Sequence, residues 1–224
     1  QYDTFISELM QTFKSTTLKK ESEKGVAISL EILDASGNQT TQNEQVRTLI
    51  EKGCDVICVN LVDRTEPTTI TDMAEKNNIP IIFFNRELVA EDLERWSELY
   101  YVGADALQSG VLEGELAANA FKTNAKMDKN GDDICQYVVL EGEAGHQDSI
   151  VRTEYSVNTL IENGVEAEKL GYAMANWNRA QAQTKTAALL TQLSGKIELI
   201  IANNDDMALG AIDALRDSQI PRED

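Results

Sequence analysis

The single histidine of the chain lies close to two charged residues in the stretch GEAGHQDSIVRTEY, residues 142–155. Asp148 follows His146 by two positions, and Arg152 follows Asp148 by four. An imidazole, a carboxylate and a guanidinium at this spacing could transfer a proton, bind a metal ion or hydrogen-bond to a polar ligand. An aspartate and an arginine at i and i+4 also stabilise many helices by about 0.3–0.5 kcal/mol with no further role. The three residues alone leave these alternatives open.

Polar and aromatic residues also follow the other apolar runs of the chain. Asn85 follows IIFF, Trp177 ends the extended run LGYAMANW, and Asn204 ends ELIIANN. Near the start of the chain, Asp3 and Phe5 lie in a predicted loop. Amides and carboxylates form paired hydrogen bonds with vicinal hydroxyl groups, and aromatic rings cover the C–H faces of a pyranose. These residue types together are typical of a binding site for a neutral polyhydroxylated ligand, although a lone tryptophan is more often a packing residue.

A second candidate site is the acidic stretch DKNGDDICQ, residues 128–136. It resembles the first nine positions of an EF-hand loop, which bind Ca²⁺ through side-chain and backbone oxygens. The side chains of Asp128, Asn130, Asp132 and Gln136 and the carbonyl of Ile134 would supply these oxygens. The glutamate of position twelve is absent, so a complete site needs a carboxylate from elsewhere. A polar loop with Asx turns is the alternative interpretation.

These residues are distributed over a chain in which apolar strands alternate with segments of helical period. Examples are the strand QYVVLEG, the helix RAQAQTKTAALLTQL, and the helix DDMALGAIDALRD with Asp205 as a candidate N-cap. The strands are apolar on both faces, which is typical of parallel sheets covered by helices. The sequence therefore predicts an α/β fold with doubly wound parallel sheets, in which ligands bind beyond the carboxyl ends of the strands.

The pattern changes near Asp105, where YYVGADALQSG closes one series of strands and helices and opens another. We therefore expect two lobes, residues 1–105 and 106–224. The first strand of the N-terminal lobe is missing from the pattern, and the C-terminal lobe ends where a further strand is expected, so the chain is expected to be truncated at both ends.

The charge and composition of the chain make some classes of binding partner unfavourable. The formal net charge of −18 disfavours nucleic acid and anionic membranes, whose phosphate groups repel such a surface. No stretch reaches the roughly 20 apolar residues of a membrane span. The three cysteines, Cys54, Cys58 and Cys135, have no metal-binding spacing and are interpreted as buried thiols.

Five segments make the chain resemble the periplasmic D-galactose/D-glucose-binding proteins of bacterial transport and chemotaxis. They are VNLVD (59–63), IPIIFFNRE (79–87), YYVGAD (100–105), LEGEAGHQDSIVRTEY (140–155) and IELIIANNDDMALGAIDAL (197–215). The resemblance implies an extracytoplasmic, non-enzymatic monomer, periplasmic or a cell-surface lipoprotein. It would hold D-glucose or D-galactose in a cleft between the lobes and deliver it to an ABC permease or a chemoreceptor.

The resemblance also assigns roles to the candidate residues. The hydrogen-bonding ligands of the sugar would be Asp3, Asn85, His146, Asp148, Arg152 and Asn204, and the two aromatic faces Phe5 and Trp177. A structural calcium ion would be bound by Asp128, Asn130, Asp132, Ile134, Gln136 and, from a distant part of the chain, Glu198. Asp133 stands where the calcium loops of this family have a glycine, a departure that affects affinity. Two further sugar ligands of the family would lie beyond residue 224.

Three other functions share parts of this pattern. A sugar-sensing domain of a membrane receptor or kinase would have the same fold and, in the complete chain, a transmembrane segment; a sugar-responsive DNA-binding repressor would need a basic helix-turn-helix upstream. An enzyme acting on a sugar would use Asp3 and Asp148 as acid and base, and would turn its substrate over.

Overall fold

The computed structural model describes residues 4–220, which divide into two compact units, one ending at Ala104 and the other beginning at Asp105. The elements of the first unit are α1 (Thr4–Lys24), α2 (Gln39–Glu51), β1 (Ile57–Val59), α3 (Thr68–Asn77), β2 (Ile81–Phe84), α4 (Ala90–Leu93) and β3 (Leu99–Val102). Those of the second are α5 (Ala106–Thr123), β4 (Ile134–Glu141), α6 (Gln147–Glu162), β5 (Glu166–Met174), α7 (Arg179–Leu193), β6 (Leu199–Ala202) and α8 (Asp205–Asp217).

Each unit contains one parallel sheet. The strand order is β1-β2-β3 in the first unit and β5-β4-β6 in the second. In the second unit the chain leaves β4 to one side for β5 and returns to the other side for β6, which is the reversal expected of a doubly wound sheet. The predicted α/β fold with parallel strands is therefore confirmed.

The sheet of the second unit is held by a long central strand. Residues 135–140 of β4 are all buried, and Val138 and Leu140 pack on one side with Met207 and Ala211 of α8. Two glycines allow α5 and α6 to approach closely, because a Cβ at Gly114 would overlap Ser156 and one at Gly110 would press on Arg152. The close contact of these helices fixes the position of the α6 N-terminus beside the ends of the strands.

The first sheet is less completely covered than its sequence pattern predicts. Ile57 and Val59 of β1 are buried, but Cys58 between them is exposed, as are Tyr100 and Val102 of β3. The prediction of buried thiols is thus correct for Cys135, partly correct for Cys54 and wrong for Cys58. Among residues 4–220, no helix has both the length and the apolarity that are needed to cross a membrane.

Candidate functional site

The predicted ligand residues of the second unit meet at the carboxyl ends of its three strands. His146, Asp148 and Arg152 lie at the N-terminal end of α6, directly after β4. Trp177 lies between β5 and α7, and Asn204 between β6 and α8. Because parallel strands end at the same edge of their sheet, residues far apart in sequence are brought together there.

His146 is the N-cap of α6. Its Nδ1 accepts a hydrogen bond from the backbone N–H of Asp148 at 3.2 Å, so a neutral ring carries its proton on Nε2. The ring stands edge-on to that of Trp177, with centroids 5.1 Å apart and planes 72° apart. His146 is therefore both a helix cap and, through Nε2–H, a hydrogen-bond donor held in a fixed orientation.

The backbone at Trp177 is in an unusual conformation. Asn176 and Trp177 have φ values of 51° and 61°, in the left-handed region that a bulky residue rarely adopts. The indole ring lies over the backbone of Gly142, where a Cβ would overlap it. Its Nε1 is buried and has no hydrogen-bond acceptor within the described part of the chain. Packing against Gly142 and His146 thus holds the ring in place at a cost in backbone strain.

Asp148 and Arg152 form a partly buried ion pair, in which Arg152 Nη2 donates to Asp148 Oδ2 at 2.9 Å. Burial raises the pKa of the Asp148 carboxyl, and the charge and hydrogen bond of Arg152 oppose this effect. Arg152 Nη1 donates to the carbonyl of Asn203 at 3.0 Å. Its Nε is buried, and no residue between 4 and 220 accepts its hydrogen bond. The pair is connected in this way to the loop that carries Asn204.

Asn204, and not Asp205, is the N-cap of α8. Its Oδ1 accepts from the backbone N–H of Met207 at 2.9 Å, and its Nδ2 donates to the carbonyl of Trp177 at 3.4 Å. The candidate cap Asp205 lies instead in the first turn of the helix, where its negative charge interacts favourably with the positive end of the helix dipole. Asn204 therefore links the loops that follow β5 and β6.

The neighbouring Asn203 is a hydrogen-bonding centre that the sequence did not reveal. Only 2% of Asn203 is exposed, and its Oδ1 accepts from the backbone of Gly142 and from Ser149 Oγ, each at 3.0 Å. Its Nδ2 donates to Thr153 Oγ1 at 2.9 Å. Adjacent residues of a strand point to opposite faces, so the pair Asn203–Asn204 at a strand end was the available signal that one of them points into the protein.

In the first unit, Asn85 follows β2 and has a φ of 64°. Its Nδ2 donates to Asn60 Oδ1 at 3.4 Å, and its carbonyl accepts from Tyr101 Oη at 3.0 Å. Phe5 lies in the first turn of α1 with 56% of its surface exposed. Asp3 lies outside the described residues. The roles of Asp3, Phe5 and Asn85 stay predictions.

A groove of about 370 Å³ lies between α6 and β5 of the second unit, with Gly142, Ser149, Tyr172 and Met174 among its lining residues. None of the predicted ligand residues lines it. The predicted ligand residues therefore lie outside this groove.

The predicted calcium loop is brought against Glu198, which is 69 residues from Lys129 in the sequence. Glu198 accepts from the backbone N–H of Lys129 at 2.6 Å and of Gln136 at 3.1 Å. Asp133 has a φ of 61°, the left-handed conformation for which calcium loops ordinarily use glycine. Glu198 therefore lies beside the loop, and the calcium site itself stays a prediction.

The arrangement of side chains in this loop is governed by hydrogen bonds. The Asn130 and Gln136 amides both donate to Asp132 Oδ2 at 2.9 Å. A hydrogen bond from the Ile134 N–H and those from the two amides lower the pKa of Asp132. Within residues 4–220, no three carboxylate, imidazole or thiol groups converge as a metal site. The donors in and beside the loop, which are carboxylates, amides and a backbone carbonyl, are of the oxygen type that Ca²⁺ binds.

Comparison with known protein families gives a match over the whole chain. The model of the periplasmic binding protein domain matches residues 1–224. Among individual proteins, the chain is 37% identical to the D-galactose/methyl-galactoside binding periplasmic protein MglB of Haemophilus influenzae, over 96% of this chain. It is 31% identical to a putative rhizopine-binding protein of Rhizobium meliloti, over 84% of this chain. The chain spans 64% and 58% of the lengths of these two relatives.

Solved structures show the same fold. A solute-binding protein of an ABC transporter from Bacillus halodurans with bound myo-inositol aligns with a TM-score of 0.75 and 29% identity, over 93% of this chain and 67% of that one. A periplasmic solute-binding protein from Actinobacillus succinogenes with bound D-allose aligns with a TM-score of 0.78 and 24% identity, over 98% of this chain and 71% of that one.

Proposed function

The chain belongs to the periplasmic binding protein domain family, and from this premise we propose that it binds D-galactose or D-glucose at the carboxyl ends of β4, β5 and β6. The observation that supports the proposal is the connected cluster of His146, Asp148, Arg152, Trp177 and Asn204. Each of these residues contacts another member of the set or the Asn203 that lies among them.

The chemistry of the cluster suits a neutral ligand with many hydroxyl groups. Asp148 accepts hydrogen bonds, whereas Arg152 and His146 Nε2–H donate them, so both sides of a hydroxyl group can be satisfied. Arg152 Nε and Trp177 Nε1 are buried donors without acceptors in residues 4–220, and a buried donor without a partner is unfavourable. The Trp177 ring would cover the apolar face of a pyranose.

Galactose is favoured among sugars by the relative with 37% identity, which is described as binding D-galactose and methyl-galactoside. Other relatives are described as binding xylitol at 27% identity and ribose at 24–25% identity. All of these ligands are neutral and polyhydroxylated. The choice between galactose and glucose depends on one hydroxyl epimer and is decided by measurement.

We infer an extracytoplasmic location and delivery of the sugar to an ABC permease. The family description and the word periplasmic in the name of the Haemophilus relative support the location. The Bacillus structure, described as part of an ABC transporter, supports the transport partner. A chemoreceptor partner stays a prediction from sequence resemblance.

Isothermal titration of the complete gene product with D-galactose and D-glucose tests the proposal. We expect one-to-one binding of at least one sugar. Asp148→Ala should weaken it by about 100-fold or more, because Arg152 then loses its hydrogen-bonded carboxylate and a sugar hydroxyl loses its acceptor. The matched control is Asp213→Ala, which removes an aspartate paired with Arg179 at 2.7 Å between α7 and α8. This control should bind like the wild type.

Two results would count against the proposal. One is the absence of heat with either sugar from a protein whose circular dichroism shows it to be folded. The other is an equal loss of affinity in Asp148→Ala and Asp213→Ala, which would point to a general loss of structure.

We further propose that the loop 128–136 binds a structural Ca²⁺ together with Glu198. When bound, the ion would neutralise a cluster of carboxylates and hold the start of β4 to the segment before β6. Its ligands would be the oxygens of Asp128, Asn130, Asp132, Ile134, Gln136 and Glu198.

Calcium is expected to raise the melting temperature of the wild-type protein relative to excess chelator. At a concentration of 100 times the dissociation constant, mass action gives about 2.7 kcal/mol. Glu198→Gln should abolish most of this gain, because it removes the carboxylate that reaches the loop from outside it. Glu162→Gln, at the exposed end of α6, should keep it. An identical melting temperature with calcium and with chelator in the wild type would contradict the site.

A further inference from the structure

Glu113 is a partly buried acid in the middle of α5, outside the predicted ligand set. Its Oε1 accepts a hydrogen bond from the backbone N–H of Ala202 at 3.1 Å, across 89 residues of sequence. Ala202 is the last residue of β6, and the next two residues are Asn203 and Asn204. The Glu113 carboxylate therefore anchors the strand end from which part of the ligand cluster projects.

Arg152 connects Glu113 to the cluster electrostatically. The guanidinium donates to Asp148 and to the Asn203 carbonyl, and its charge also acts on the Glu113 carboxylate. Two acids thus share one cation in a region of low solvent access. Burying a second negative charge beside a single positive one is unfavourable, so uptake of a proton by one of the acids relieves the excess.

The Glu113 carboxyl is held close to its ionisation point at neutral pH. Burial raises the pKa of its carboxyl to about 7, against the opposing effects of the Ala202 N–H and of Arg152. The groups that act on it are the Arg152 guanidinium on α6, the Ala202 N–H on β6 and, through Arg152, the Asp148 carboxylate. When Glu113 is protonated, the Arg152 guanidinium therefore interacts more strongly with Asp148 and with a ligand.

We propose, on the basis of the proposed function, that Glu113 is a positioning residue of the sugar site and that its protonation strengthens sugar binding. A sugar on Arg152 and Asp148 excludes water from the ion pair and engages the guanidinium that otherwise compensates Glu113. Both effects disfavour the Glu113 carboxylate, so the bound protein holds the proton more tightly than the free protein does.

The sign of the pH dependence follows from linkage. Well below neutral pH, Glu113 is protonated in both states and the affinity is highest. Once the pH exceeds the pKa of Glu113 in the free protein, sugar binding must be accompanied by proton uptake, and the affinity falls. The fall continues until the pH exceeds the pKa of Glu113 in the sugar-bound protein. Each unit of difference between the two transitions corresponds to about a tenfold change in Kd.

Titration of the complete gene product with D-galactose and D-glucose at pH 5.5, 7.0 and 8.5 tests the inference. For the sugar that binds, Kd of the wild type is expected to rise several-fold from pH 5.5 to 8.5. Glu113→Gln keeps an acceptor for the Ala202 N–H but cannot ionise, so its Kd should stay close to the wild-type value at pH 5.5. Glu115→Gln, an exposed neighbour on the same helix, should retain the wild-type slope.

The readout is the difference in slope between the wild type and Glu113→Gln, because only the wild type carries the ionisable carboxyl of Glu113. Equal slopes in the two proteins would overturn the inference, and so would an affinity that rises with pH in the wild type alone. Absence of binding at every pH would contradict the proposed function itself, and the inference with it.

Discussion

Gly142→Ala is expected to weaken sugar binding by about 10- to 100-fold while the protein stays folded. The added methyl group would overlap the six-membered ring of the Trp177 indole. The ring must therefore move, and it loses its edge contact with His146 and its place against the sugar. A loss of about 1.4 kcal/mol already corresponds to a tenfold change in Kd, and aromatic contacts contribute about 0.5–1.5 kcal/mol beyond the area they bury.

The position of Gly142 makes this substitution informative. It does not have the positive φ of Gly145, where alanine would be strained whatever the space around it. The expected effect of Gly142→Ala is thus steric and acts through Trp177. Gly171→Ala in β5 is the matched control, because its Cβ would meet Leu189 Cδ2 at an ordinary 3.5 Å. This control should bind sugar like the wild type.

A double-mutant cycle separates the effect on Trp177 from any other effect of the methyl group. If Gly142→Ala acts by displacing the indole ring, it should cost little further affinity in a Trp177→Ala background. Titration calorimetry of the four proteins measures this, and near-ultraviolet circular dichroism reports the change in the environment of the indole. Additive losses in the double variant would mean that Gly142 affects the site without Trp177.

The strand-end residues could be predicted because two simple rules act together. Continuous apolar runs such as QYVVLEG are long enough to identify buried parallel strands, and such strands end at one edge of the sheet. The helices α7 and α8 have the bounds that their sequence periodicity predicts. The first part of β5 was not predicted, because Glu166, Glu168 and Lys169 give it the exposed, charged pattern of an edge strand.

The residues that support the cluster could not be predicted in the same way. Glu113 stands between Leu112 and Gly114 in a helix with several acidic residues, and nothing in that pattern separates it from the exposed Glu115. Its role depends on the end of β6, and therefore on tertiary structure. In the sequence, Gly142 has the pattern of an ordinary loop glycine. Only the structure shows that the Trp177 ring lies over it.

The two caps show a further limit of sequence interpretation. From the sequence, Asp205 is the candidate N-cap of α8, and His146 and Asn204 are predicted sugar ligands. In the structure, His146 and Asn204 use one side-chain atom for the cap and have a second polar atom on the side chain. A helix cap fixes the side chain in space, so capping at these positions is compatible with the proposed ligand binding.

Asn203→Leu is expected to lower the free energy of unfolding by about 3 kcal/mol. The substitution roughly conserves volume, so the cost comes from hydrogen bonds and not from a cavity. The backbone N–H of Gly142 and the hydroxyl of Ser149 would lose their acceptor, and Thr153 would lose its donor. Each buried polar group left without a partner costs about 1–3 kcal/mol. Urea denaturation monitored by circular dichroism measures the change.

The matched control is Asn163→Ala, which removes an exposed side-chain amide at the C-cap of α6 that donates to the Thr159 carbonyl. Because water can replace that bond, the control should cost less than about 1 kcal/mol. The Ser149→Ala/Thr153→Val background gives the sharper comparison, since apolar partners have no hydrogen bond to lose. In that background Asn203→Leu should cost clearly less than it does alone. An equal cost would show that the bonds to Ser149 and Thr153 do not account for the loss of stability, which would then be due to the Gly142 N–H that is left without its acceptor.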